Sequence, residues 1–108
     1  MAGGIHELCE ASGTGARIQL DAIPVFPETR EMAGPLGIDP LGLIASGALL
    51  MATAPDGAGA ILRSLKKAGI RAVRIGTLEE GDAGVMAATK GEERPLPRFA
   101  TDELVRVL

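Results

Sequence analysis

Aromatic side chains are nearly missing from this sequence: among 108 residues there are two phenylalanines, Phe26 and Phe99, and no tryptophan or tyrosine. Single-stranded nucleic acid therefore finds no platform on which bases could stack. Positive charge is sparse and scattered. Lys66-Lys67 is the largest basic cluster and the formal net charge is −3, which argues against a phosphate backbone as partner. One cysteine, Cys9, excludes an internal disulfide and suits a reducing cytoplasm. The longest uncharged run, Pro40 to Pro55, falls short of the ~20 residues a membrane-spanning helix needs, and it contains proline and glycine. The opening Met-Ala-Gly-Gly has neither the basic stretch nor the apolar stretch of a secretory signal. The expectation is a cytoplasmic chain without nucleic-acid or membrane partners.

What is present is an aliphatic core supply. Apolar residues make up 46 % of the chain, mostly Leu, Ile, Val, Ala and Met. A chain of this length buries roughly two thirds of its unfolded surface, enough for one domain spanning 1–108. The stretch Ile38 to Ala54 (IDPLGLIASGALLMATA) ends in an apolar run between breakers, which predicts a central strand buried on both faces. Before it, Ile5 to Ser12 has helical spacing and follows Gly3-Gly4, where an N-cap side chain would be expected. Ala16 to Leu20 alternates as a half-buried strand, and Glu28 to Leu36 reads as a short helix broken early at Gly34-Pro35. After it, Asp56 is a natural N-cap for an amphipathic helix closed by Gly69, with Ile61, Leu62 and Leu65 on its stripe. Ile70 to Leu78 and Ala83 to Thr89 read as the two strands of a hairpin around an acidic turn. Lys90 to Glu93 reads as a turn, Arg94 to Phe99 as an edge or irregular segment, and Thr101-Asp102 as the cap of a last short helix. This order predicts an α+β architecture, a mixed and mainly antiparallel sheet covered by helices.

Few side chains form a chemical constellation. His6 and Cys9 share a helix face, but zinc needs further ligands and the sequence has no other His or Cys, so Cys9 is expected in the core and His6 as an exposed or boundary side chain. Glu7 with Glu10 reads as a solvated helix face, and Glu79, Glu80 and Asp82 as a solvated loop. Asp39 before Pro40 reads as turn chemistry. Walker-type loops, G-x-G-x-x-G and G-x-S-x-G are lacking. Two bare-backbone corners remain: Gly3-Gly4 at a helix start, where free amides suit an anion, and Ser46-Gly47 before the apolar run, where backbone can approach a ligand closely. Gly3, Gly4, Ser46 and Gly47 are the candidate phosphate-binding residues, and they are expected to converge on one anion pocket.

The run from Gly3 through Gly37-Ile38-Asp39-Pro40-Leu41 and Ala45-Ser46-Gly47 to about Leu78 resembles the C-terminal domain of the AIR synthase (aminoimidazole ribonucleotide synthase, PurM-like) superfamily. Within it, the similarity is to AIR synthase-related proteins and HypE-like hydrogenase maturation factors. The resemblance implies a layered α/β/α unit, partly ferredoxin-like, that closes over a nucleotide. It implies a parent enzyme using ATP and Mg2+ to phosphorylate an amide-like oxygen of a small-molecule substrate. A separate N-terminal domain would carry the acidic ATP site and form the homodimer. A D-x-T-x-G-G loop faces phosphate in such proteins; here Gly3-Gly4 match its end and Met1 falls where the Thr would lie. HypE-like proteins also carry a reactive tail cysteine, whereas this sequence ends Val-Arg-Val-Leu, so that chemistry does not carry over. The expected role is thus a domain that contributes backbone phosphate contacts and is inactive alone. The alternative is a small non-enzymatic oligomerisation or ligand-sensing module.

Overall fold

The computed structural model describes residues 1–44 and 47–108. Helix α1 spans Ala2–Ser12 and ends at Gly13, whose φ of 68° is the left-handed conformation a C-terminal glycine cap adopts at little cost. Thr14 then donates to Cys9 O at 3.0 Å, and the chain passes directly into β1, Gly15–Gln19. Three further strands complete one sheet: β2 Gly76–Glu79, β3 Val85–Thr89 and β4 Glu92–Pro95, in the order β2-β1-β3-β4. β1 runs antiparallel to β2 and parallel to β3, and β3 runs antiparallel to β4, so the sheet is mixed and mainly antiparallel, as expected. Helices α2, Pro27–Leu36, and α3, Ala58–Lys67, lie within the long crossover that the parallel β1–β3 pair requires.

β1 shows why α1 sits where it does. Its residues alternate, with Ala16 and Ile18 buried and Arg17 and Gln19 exposed. Across the parallel ladder Ala16 lies opposite Val85 and Ile18 opposite Ala87, so one sheet face is aliphatic. α1 lays Ala2, Ile5 and Cys9 on that face, and Ile23 and Leu96 close the cluster. Burying a side chain such as Ile5 stabilises the fold by about 1.5–3 kcal/mol. Arg17, on the other face, pairs across the strands with Glu93 at 2.8 Å and Glu79 at 3.6 Å.

Several elements differ from the sequence expectation. The stretch Ile38 to Ala54 is not a central strand: its described part holds a short 3-10 turn, Pro40–Gly42, followed by irregular chain with Leu49 and Met51 exposed. The centre of the sheet is β1 with β3. β2 and β3 do not form a hairpin either, because β1 lies between them; Gly15 fits so tightly there that a Cβ would meet Glu80 O at 2.7 Å and Gly84 O at 2.6 Å. The hairpin is β3–β4, turned by Lys90 at φ 50° and Gly91 at φ 80°, the paired positive values of a two-residue type I′ turn. Of Ile70 to Leu78 only the end enters the ladder, from Gly76 on. α2 is not stopped by Gly34-Pro35: Pro35 sits in its last turn and Gly37, φ 66°, closes it. α3 follows the expectation at its C-terminus, where Gly69 is left-handed and Ile70 donates to Leu65 O at 2.9 Å. Its N-cap, however, is Gly57 rather than Asp56. The chain ends in a 3-10 turn, Glu103–Val107, capped as expected by Asp102, which accepts from Leu104 N–H at 2.8 Å.

Candidate functional site

α1 begins at Ala2, earlier than its spacing suggested, so Gly3 and Gly4 lie inside the first turn rather than ahead of it. Ile5 N–H donates to Met1 O at 3.3 Å, and the amides of Ala2, Gly3 and Gly4 precede the helical ladder. Ala2 is buried, whereas Gly3 and Gly4 are exposed. Around Gly3 an added Cβ would meet nothing within 4 Å, and at Gly4 only Leu50 Cδ2 at 3.9 Å. This bare backbone opens on a cavity of about 430 Å³. Its other walls are Leu41 to Ile44 with Ala48 and Leu50, and the tail from Phe99 to Asp102.

Six hydrogen bonds hold those walls in place. The nitrogen of Met1 donates to Leu41 O at 3.2 Å and Leu43 O at 3.4 Å, fixing the start of α1 to the 41–43 chain. Asp39 Oδ1 accepts from Leu41 N–H at 2.9 Å, so this acid performs the turn chemistry expected of it. Glu103, only 6 % exposed, accepts from Arg106 Nη1 at 3.0 Å and from Asp39 N–H at 3.4 Å, while the same guanidinium nitrogen donates to Gly37 O at 3.2 Å. Gly42 is where tail and turn touch: a Cβ there would fall on Glu103 Cγ and lie 2.5 Å from Phe99 Cδ1. The tail is therefore a wall of the cavity, a feature with no sequence signal because Glu103 and Asp39 are 64 residues apart.

The second corner is only partly described. Ser46 lies outside the described residues; Gly47 is exposed with φ 86° and is not among the residues lining the cavity, although Ala48 is. Gly3 and Gly4 thus share one cavity with Ile44 and Ala48, which flank the second corner in the sequence.

A second cavity, about 580 Å³, lies along α1 and past its far end, between His6, Cys9, Gly13, Thr14, Gly84 and Leu96. His6 is buried, neither exposed nor at the boundary. Its Nε2 lies 3.0 Å from Leu96 O and 3.1 Å from Pro97 O, and two carbonyl acceptors require that nitrogen to carry the proton. Nδ1 is buried and has no hydrogen-bond partner among the described residues. Cys9 is a core residue, as expected, and Glu10 is held by Arg98 at 2.8 Å on the surface. Among the described residues no three His, Cys, Asp or Glu side chains are grouped to hold a metal, and Glu79 is engaged with Arg17. No helix among them is long and apolar enough to cross a membrane.

The family described as AIR synthase related protein, C-terminal domain, matches residues 1–88. The chain belongs to that family. Carbamoyl dehydratase HypE of Rhizobium leguminosarum bv. viciae is 38 % identical over 61 residues, 56 % of this chain and 17 % of that protein. Its namesake from Bradyrhizobium diazoefficiens is 33 % identical over 66 residues, 61 % of this chain and 19 % of that protein. The crystal structure of Escherichia coli HypE, a hydrogenase maturation protein, superposes with a TM-score of 0.83 at 31 % identity, covering 98 % of this chain and 34 % of that one. The AIR synthase-related chain thus spans about a third of E. coli HypE and less than a fifth of the two rhizobial proteins. The fold and the HypE-like affinity implied by the sequence resemblance both hold.

Proposed function

We propose that this domain forms one wall of a nucleotide and substrate cleft in an ATP-dependent, HypE-like cytoplasmic enzyme and is inactive by itself. The observation that carries the reading is the placement of Gly3 and Gly4, whose helix-start amides open on a cavity of about 430 Å³. Amides at a helix start carry partial positive charge and suit phosphate oxygens. The absence of a Cβ at both positions lets an anion come within hydrogen-bond distance. Ser46 and Gly47, just ahead of the lining residue Ala48 in the sequence, would add contacts. ATP would meet this cradle through its phosphates, and among the described residues no three His, Cys, Asp or Glu side chains are grouped to hold a metal on their own. We assign the Mg2+ site and the dimer contact to an N-terminal domain.

Two relatives are named carbamoyl dehydratases. Loss of water from a carbamoyl group converts C(=O)NH2 to a nitrile, and ATP would make the oxygen a phosphate leaving group. A small carbamoyl-bearing substrate is our reading for the parent enzyme. Cys9 is buried in the core and takes no part in this cleft.

The test is a chimera in which this chain replaces the matched third of E. coli HypE. The chimera should hydrolyse ATP, and Gly3→Ala or Gly4→Ala should raise its KM for ATP at least tenfold. Both substitutions lie in a helix with room for a methyl group, so stability should rise by about 0.5–1 kcal/mol while nucleotide affinity falls. Tight ATP binding or turnover by the isolated chain would overturn the reading.

A further inference from the structure

Charge is distributed unevenly along the chain. Residues 57–78 hold Arg63, Lys66, Lys67, Arg71 and Arg74 and no acid, while the rest of the chain sets six cations against fourteen acids, a net of −8. All five cations are exposed, and among the described residues none of them lies in an ion pair. Arg63 shares a face of α3 with Lys66 and Lys67, three and four positions further on. Gly69, φ 74°, then turns the chain, and Ile70 N–H donates to Leu65 O at 2.9 Å, which holds the following residues beside the end of α3. Arg71 and Arg74 continue the basic run from there, Arg74 donating from Nη2 to Thr77 Oγ1 at 3.2 Å. Lys66 and Lys67 gain from the negative end of α3, but the run as a whole repels itself unless carboxylates from elsewhere oppose it.

Between the cations sit two aliphatic side chains left in water, Ile70 at 54 % and Val73 at 43 % exposure. An apolar centre with a polar, solvated rim is the anatomy of a protein interface. Three other anionic partners fit less well. Nucleic acid held without sequence preference needs aromatic platforms, and neither Phe26 nor Phe99 lies in this stretch. A lipid surface needs the apolar side of a helix, but Ile61, Leu62 and Leu65 are half-buried, so α3 has no free apolar face to insert. In a second copy of this chain Glu10, Glu79, Glu92, Glu93 and Glu103 are already engaged with arginines. We infer that the surface formed by residues 63–74 docks an acidic protein, one that presents carboxylates around aliphatic side chains. This goes beyond the nucleotide reading and does not use it, since none of these residues lines the cavity at Gly3 and Gly4.

Fluorescence anisotropy on the full chain tests this, with a labelled peptide of Glu-Glu-Leu repeats as the probe. The peptide should bind at low salt and lose roughly tenfold or more in affinity at about 1 M salt, where the screening length is only about 3 Å. Exposed ion pairs are individually weak, so three cations are removed together. Lys66→Gln with Lys67→Gln and Arg71→Gln should weaken binding roughly tenfold and flatten its salt dependence, whereas Arg30→Gln, outside the surface, should change neither. Val73→Asn should weaken binding about threefold and keep the salt dependence, as loss of an apolar contact does. These exposed positions should leave the melting temperature within about 2 °C of the parent, and Arg71→Gln alone, outside the helix, should weaken binding in the same direction. An all-Glu peptide of equal length that binds as tightly would overturn the inference, because charge alone would then account for the binding. Tighter binding to poly(U) RNA or to phosphatidylserine vesicles would overturn it too, as would self-association at low salt that the triple substitution abolishes.

Discussion

At Gly15 a methyl group would lie 2.6 Å from Gly84 O and 2.7 Å from Glu80 O, and at Gly81 one would lie 2.6 Å from Gly13 O. These are backbone atoms on both sides, so no side-chain rotation relieves the contact. The end of α1 and the turn before β3 are interlocked, and that interlock admits β1 between β2 and β3. Gly15→Ala should therefore cost about 2 kcal/mol through overpacking, a fall in Tm of about 10 °C by calorimetry. A change under about 2 °C would show that the turn shifts freely. These glycines are legible in the sequence only as breakers. Gly13 and Gly15 stand out as the end of a helix, but which backbone comes close to Gly15 depends on residues 65 or more positions away. His6 has the same character. Its helix face is readable from the spacing to Cys9, yet its acceptors, Leu96 O and Pro97 O, belong to a segment that composition marks only as proline-rich.

Elements were legible where local rules and tertiary packing agree. β1 alternates, β3 is aliphatic and lies in the sheet, and α3 ends at a glycine that is left-handed in the structure. The expectation failed at Ile38 to Ala54, where an apolar run suggested burial on both faces. Apolar residues are not obliged to be inside, and here Leu49 and Met51 face outward. β4 was half legible: Glu92 and Glu93 look like a solvated turn, whereas Arg94 and Pro95 fall in the segment read as edge or irregular; charged residues and Pro95 suit an edge strand whose outer side must not recruit another chain. The terminal turn is the element whose energetics can be separated. Glu103 is nearly buried, whereas the side chain of Arg106 is 58 % exposed, so the two partners are unequal. Arg106→Ala should cost about 1 kcal/mol, since water can partly replace an exposed guanidinium. Glu103→Ala should cost about 2 kcal/mol, because it also takes the acceptor from Asp39 N–H and empties the space beside Gly42. Urea denaturation of the two variants checks the order, and equal costs would mean that the ion pair alone holds the turn.

The whole molecule is thinly packed for its length. Its radius of gyration is 14.6 Å, against about 13 Å for a compact domain of this size. α3 buries no residue and α2 buries only Ala33, while α1 buries Ala2, Ile5, His6 and Cys9. The best-packed part is one helix on one sheet face, and of the two crossover helices α2 leaves Met32 and Leu36 exposed while α3 keeps Ile61, Leu62 and Leu65 half-buried. The family match ends at residue 88, before β4, Leu96 and the tail. Physically the later segment is part of the domain: β4 pairs with β3, Leu96 is in the core, and His6 donates to Leu96 O and Pro97 O. Removing it deletes the β3–β4 ladder and a core side chain worth about 1.5–3 kcal/mol, out of a total of about 5–15 kcal/mol. A chain cut after residue 88 should show no cooperative thermal transition by circular dichroism. One cut after residue 100 keeps β4, Leu96 and both His6 acceptors and loses the Glu103 contacts, so it should melt cooperatively at a lower temperature than the full chain. Equal melting of the 1–88 chain and the full chain would show that the segment after residue 88 adds nothing to the fold.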